Sequence, residues 1–245
     1  MHTHLDYAPA TDSFADRVIL VTGATQGIGR AVATDLVKHG ATVILHGRDA
    51  QALEALYQEL CAIGPEPAVS QLDLERAQGD DYQTLSEQIE ARWGRLDGLL
   101  HNAGILGDRS PIEHYDIAVW QRVIHVNLNA VFILTRCLLP LLRESADASL
   151  LFTSSGVGYQ GRAYWGAYCV SKFGIEGLTQ ILADELETTN IRVNCINPGA
   201  TRTNMRAHAF PAEDRDSLPL PQDITGPYLY LLGPDSRDVT GQRIE

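Results

Sequence analysis

The chain has 245 residues, 44% of them hydrophobic, which is enough for a sizeable core and too apolar for disorder. Its formal net charge of −12 excludes nucleic acid or an anionic membrane surface as the main partner; a local basic site for one phosphate is still compatible with it.

The N-terminal "MHTHLDYAPATDSFADR" is polar and acidic, with no apolar secretion segment. Residues 1–14 read as an extension, with His2 and His4 part of that tail rather than a metal site; no metal is expected anywhere. "RVILVT" (17–22) is the first predicted strand, and "GIGRAVATDLVKHG" directly after it carries helical periodicity. The turn between them, "VTGATQGIGRA" (21–31), holds three glycines in the strand–turn–helix setting of a dinucleotide site. Gly23 permits the tight turn, Gly27 lets backbone approach a pyrophosphate, and Gly29 allows close helix packing. Thr25, Gln26 and Ile28 share the loop, and the N–H groups opening the helix face the phosphates.

The second strand, "TVILH" (42–46), ends in Gly47 and Arg48. A carboxylate at this tip would accept from an adenosine 2′-hydroxyl and repel a 2′-phosphate, whereas a guanidinium holds the phosphate. NADP(H) is therefore favoured over NAD(H), and Asp49 reads as the N-cap of the next helix. "AVSQL" (68–72), "GLLHN" (98–102), "SLLFTS" (149–154) and "IRVNCI" (191–196) are the further strands, with helical segments between them. Their near-continuous apolar character indicates burial on both faces, so the fold class is α/β: one domain, 15–245, with a doubly wound, mostly parallel Rossmann sheet.

The longest apolar run (130–142) is interrupted by Arg136 and Pro140 and is too short to span a bilayer. Three of the four cysteines lie in apolar runs and read as small buried hydrophobes; without paired spacing they fit a reducing cytoplasm. Around 200–221 the chain turns polar and proline-rich, a length that suits a substrate-binding loop beyond a strand's C-terminal end.

"AYWGAYCVSKFGIEG" (163–177) sets Tyr168 four residues ahead of Lys172, hence on one helical face. A phenol's ordinary pKa of about 10 hinders proton transfer near neutrality. An adjacent ammonium is expected to lower it, making Tyr168 a workable acid or base. "FTSSG" (152–156), at a strand tip just ahead of that helix, offers a hydroxyl to hold a substrate oxygen.

These motifs in this order resemble the compact branch of the short-chain dehydrogenase/reductase family. The resemblance rests on "TGATQGIG" (22–29), Asp73, "HNAG" (101–104), Asn127, Ser155, the Tyr168–Lys172 pair and "NPGATRT" (197–203), and covers residue 15 to the end. It implies Tyr168 as general acid in carbonyl reduction and base in alcohol oxidation, with Ser155 orienting the substrate oxygen. Lys172 would also bind the nicotinamide ribose, and Asn127 would hold a water that links the lysine to solvent. Asp73 would lie at the adenine, Asn102 near its ribose with Ala103 and Gly104 at the same strand tip, and Thr203 at the carboxamide with Pro198, Gly199 and Thr201 beside it.

His101 stands where the family usually has asparagine, and "TGQRIE" ends the sequence where a last strand is expected, so either the chain continues or that strand is very short. The resemblance also implies a homodimer or homotetramer built on the helices around Asn127 and Tyr168, both apolar on more than one face. The rival reading is a non-catalytic NADP-binding sensor. An epimerase or dehydratase conflicts with the glycine spacing. Met205, Phe210, Leu218, Tyr159, Tyr164 and Trp165 are expected around a partly apolar substrate pocket.

Overall fold

The computed structural model describes residues 4–245. The apolar runs form seven strands: β1 (Val18–Thr22), β2 (Thr42–Gly47), β3 (Ala68–Gln71), β4 (Gly98–His101), β5 (Ala148–Thr153), β6 (Ile191–Ile196) and β7 (Arg243–Ile244). They make one wholly parallel sheet in the order β3-β2-β1-β4-β5-β6-β7. The order reverses between β1 and β4, and such a switch point opens a crevice at the strands' C-terminal ends.

Alternate residues of each strand feed two cores. Leu20, Ile44, Leu99, Leu150 and Val193 face α3 (Gly79–Trp93), α5 (Ala130–Arg143) and α6 (Gly166–Glu185). Ile19, Val21, Val43, Leu45, Leu100 and Leu151 face α1 (Gly27–Lys38), α2 (Ala50–Cys61) and α8 (Gly226–Leu232). Asp49 caps α2 as expected, its carboxylate accepting from Ala52 N at 3.0 Å.

α4 (Ile117–Ile124) runs into α5 through a single π turn at His125–Asn129. The continuous helical stretch Ile117–Arg143 is thus long and apolar enough, by length and composition, to cross a membrane, unlike the shorter run read from the sequence. Its buried residues, Leu134 and Leu138 among them, pack on the sheet, as a core helix requires.

The N-terminal segment packs more closely than its composition suggests. The His4 ring stacks on Tyr230 at 3.8 Å, Tyr7 donates to Asp235 at 2.8 Å, and Phe14 is fully buried in the α1 core. A boundary at residue 15 therefore cuts through packed structure; His2 lies outside the described residues. Of the cysteines, Cys169 and Cys195 are buried, Cys137 is half-buried and Cys61 is exposed. The seventh strand has two residues, which pair with Cys195 and Ile196.

Candidate active site

The crevice is a cavity of about 490 Å³ lined from the tips of β1, β2, β4, β5 and β6. Its floor is the glycine loop. Gly23 has a φ of +65°, and a Cβ there would stand 3.0 Å from the Ala103 Cα. A Cβ on Gly29 would strike the Gly23 carbonyl oxygen and come within 2.6 Å of the Asn102 Nδ2. Gly29 does not itself line the cavity; it lets α1 pack against the loop, while Gly23, Thr25, Gln26, Gly27 and Ile28 do line it. Thr22 Oγ1 accepts from the N–H groups of Asn102 (2.9 Å) and Ala103 (3.0 Å), which fixes the β4 loop beside the glycines. Gln26, at the N-cap of α1, makes no side-chain cap, so the first turn's N–H groups are left for an anion.

At the β2 tip, Arg48 lines the cavity and is exposed, and no carboxylate pairs with it among the described residues. His46, two residues earlier, also lines it. That ring is buried with neither nitrogen hydrogen-bonded, and burial lowers its pKa to about 4, so it is neutral. Asp73 lines the cavity too, with Oδ1 accepting from Glu75 N at 3.1 Å. Gly104, Pro198, Gly199, Thr201 and Thr203 complete the expected rim. His101 faces away into the sheet, its Nε2 2.9 Å from Thr135 Oγ1 and its ring stacked on Phe152.

Ser155, Tyr168 and Lys172 all line this cavity. Tyr168 and Lys172 project from α6, and Ser155 from the loop just after β5, where its Oγ accepts from Val157 N at 3.5 Å. Lys172 Nζ donates to the Thr153 carbonyl at 2.6 Å and lies 5.6 Å from the Tyr168 ring centre. The expected acidification of the phenol does not arise from these residues alone. Burial pushes the Tyr168 hydroxyl up to about 12, opposed by a hydrogen bond with Ser155, and lowers Lys172 to about 8. Helical spacing fixes which groups adjoin; desolvation decides their protonation.

Asn127 sits behind the cavity wall rather than on it. Its Oδ1 accepts from Ile105 N and its Nδ2 donates to Ile105 O, both at 2.8 Å, with Ser171 Oγ 3.2 Å away. The π turn presents this side chain, which braces the β4 loop against α6.

The 200–221 segment contains the short helix α7 (Asn204–Ala209), N-capped by Thr203, and covers one side of the cavity. Of the aromatic and apolar residues expected near a substrate, Trp165 and Met205 line it. Phe210 backs Trp165 at 5.8 Å, whereas Leu218, Tyr159 and Tyr164 lie off the cavity and both tyrosines are exposed. Sequence reasoning missed His46, Leu74, Ile105, Leu106 and Arg206, which also line it. Ile105 and Leu106 directly follow the "HNAG" motif, Leu74 follows Asp73, and Arg206 lies in the polar 200–221 run, so these were findable by adjacency; His46 carried no linear signal.

A glycine cradle without room for Cβ atoms, an uncapped helix start and a free guanidinium at the β2 tip together fit a dinucleotide with phosphates at two places. Comparison with known proteins agrees. The sequence model of the short chain dehydrogenase family matches residues 17–214. The oxidoreductase YciK of Escherichia coli (strain K12) is 50% identical over 242 residues, 98% of this chain and 96% of that one. A cyclohexanol dehydrogenase of Acinetobacter sp. (strain SE19) is 30% identical, covering 95% of this chain and 94% of its own. Among solved structures, a short chain dehydrogenase from Escherichia coli CFT073 complexed with NADPH is 51% identical, with a TM-score of 0.94 over 96% of this chain and 98% of that one. The chain belongs to the short-chain dehydrogenase family, as a single-domain, nicotinamide-dependent oxidoreductase.

Proposed function

We propose that the protein interconverts a carbonyl compound and its alcohol with NADP(H), Tyr168 exchanging the proton. The observation that carries the reading is the convergence of Tyr168, Ser155 and Lys172 in the same cavity as the glycine loop. A bound nicotinamide supplies or takes up the hydride. Ser155 Oγ orients the substrate oxygen, Tyr168 Oη gives the proton in reduction and takes it in oxidation, and Lys172 holds the nicotinamide ribose. Positioning of this kind, with a proton donor in reach, supplies much of such a rate. Asn127 acts from behind, holding the β4 loop and α6 in register.

NADP(H) is preferred to NAD(H) on two grounds: Gly47 and Arg48 stand at the β2 tip in place of an acid, and a relative at 51% identity is solved with NADPH. Four free thiols support a cytoplasmic location. The substrate is a small molecule, and the apolar wall of Leu106, Trp165, Met205 and Ala209 suits an aliphatic or alicyclic carbonyl. The protein would act as a dimer or tetramer through α5 and α6.

The test is Tyr168→Phe, assayed for NADPH oxidation with a panel of ketones and aldehydes that includes cyclohexanone. Turnover should fall about 10²–10⁴-fold while NADPH binding stays within about threefold, because the phenyl ring keeps its packing. Equal turnover by variant and parent would remove the mechanism. NADPH bound by the parent but consumed with no compound would favour a sensor.

A further inference from the structure

The cavity and the whole chain differ in charge. A protein of net charge −12 lines this one cavity with Arg48, Lys172, Arg202, Arg206 and Arg215 against Asp73 and Glu75. Two of the cations, Arg48 and Lys172, are accounted for above. Arg206 is already engaged: its Nε and Nη2 donate to both Glu213 oxygens at 2.6 and 2.5 Å, and it lies 3.8 Å from the Phe210 ring centre.

Arg202 and Arg215 are different. Arg202 holds a single carboxylate, Asp216 at 3.0 Å, whose side chain is 88% exposed, and its Nε is buried with no acceptor. Arg215 has no acidic partner among the described residues. Their segment lies over the glycine loop. Thr203 Cγ2 would be 3.4 Å from a Cβ on Gly27. Arg202 N donates to Pro219 O at 2.9 Å, tying the two limbs of the segment together, and the turn Pro221–Ile224 packs on α1.

We propose that Arg202 and Arg215 form a cationic clamp that closes, from the segment after β6, on the pyrophosphate of NADP(H) resting on the glycine loop. The inference rests on the NADP(H) reading above and extends it to the other end of the site. Backbone N–H groups alone give the pyrophosphate neutral donors; a guanidinium adds charge and a planar fork. Exchanging the exposed Asp216 for a phosphate costs little, since an ion pair at the surface is screened by water and contributes little. The same segment carries Met205 and Ala209, which also line the cavity.

Calorimetric titration separates the terms. NADPH, NADH and adenosine 2′-monophosphate, which lacks the pyrophosphate, are titrated into the parent, R202Q/R215Q, R202K/R215K and R48Q proteins. The clamp predicts that R202Q/R215Q binds NADPH and NADH about 10–100-fold more weakly and adenosine 2′-monophosphate within about twofold. Retained binding of that nucleotide also reports an intact fold, and R202K/R215K should recover part of the loss. R48Q should weaken NADPH and adenosine 2′-monophosphate but not NADH. Unchanged NADPH affinity in R202Q/R215Q overturns the clamp, as does an equal loss for all three ligands. A parent that binds NADH and not NADPH overturns the NADP(H) preference alone, leaving the clamp to be judged on NADH.

Discussion

His46 shows at the level of one residue how burial sets chemistry here. It ends β2 with its ring inside the protein and no partner for either nitrogen, so its pKa falls from 6.5 to about 4. A base whose folded pKa lies below its unfolded value adds stability that is fully present above the unfolded pKa. That stability drains as pH falls toward the folded pKa. The window is therefore about pH 6.5 down to 4, and at pH 5 the loss from this one group is about 2 kcal/mol. His46→Leu should thus lose less melting temperature than the parent between pH 7 and 5, by roughly 4–8 °C for a chain of this size. Parallel melting curves for the two proteins across that range would refute the assignment. Ser155, Tyr168 and Lys172 were readable because spacing and order bring them together. The direction of the Tyr168 shift was not, because it follows from how completely the surrounding segments of the fold exclude water from the phenol. His46 carried no linear signal at all: within "TVILH" it looks like any strand residue.

At the level of the element, the glycine loop and the β4 loop are one unit, held by Thr22 and Asn102. Gly29→Ala tests this, because the new Cβ meets backbone that cannot swing away as a side chain would. The expected cost is about 1–3 kcal/mol, read as a lower denaturation midpoint, together with loss of NADPH binding as α1 is displaced from the loop. Unchanged binding and stability would mean the loop is far more pliable than its packing indicates. Asn127 is a second joint. Asn127→Leu leaves the Ile105 N–H and C=O without their partners, costing about 1–3 kcal/mol for each buried group stranded. The core strands were legible from sequence because both faces are buried and the apolar runs are unbroken. The π turn was not, because the apolar run keeps helical spacing through it, and the bonds of Asn127 to Ile105 exist only once the chain is folded. The 200–221 segment announced itself only as polar and proline-rich; its short helix depends on the Thr203 cap and the Arg206–Glu213 pair, which become visible once the chain is folded.

For the molecule as a whole, α6 and α5 each leave apolar side chains on an outer face. Val170, Phe173 and Ile181 stand on α6 at 47%, 44% and 55% exposure, and Phe132 on α5 at 52%. Scattered apolar residues need no partner, but positions 170, 173, 177 and 181 recur at helical spacing along one stripe. The residue at 177 is a glycine whose Cβ position meets only open space, so another backbone can approach closely there. A face of this kind, next to the helix that carries Tyr168 and Lys172, suits an isologous contact with a second copy of the chain. In light scattering at micromolar concentration the parent should give a multiple of 26.8 kDa. V170E/F173E should give the monomer mass, because two carboxylates facing their symmetry mates cannot be desolvated without a partner cation. NADPH affinity should change little in that variant, since neither side chain lines the cavity. A parent that is strictly monomeric would leave this stripe without a partner, and one that stays assembled with both carboxylates in place would move the interface to another face. Because α6 bears both the stripe and Tyr168, assembly would brace the helix whose register sets the distance between phenol and substrate.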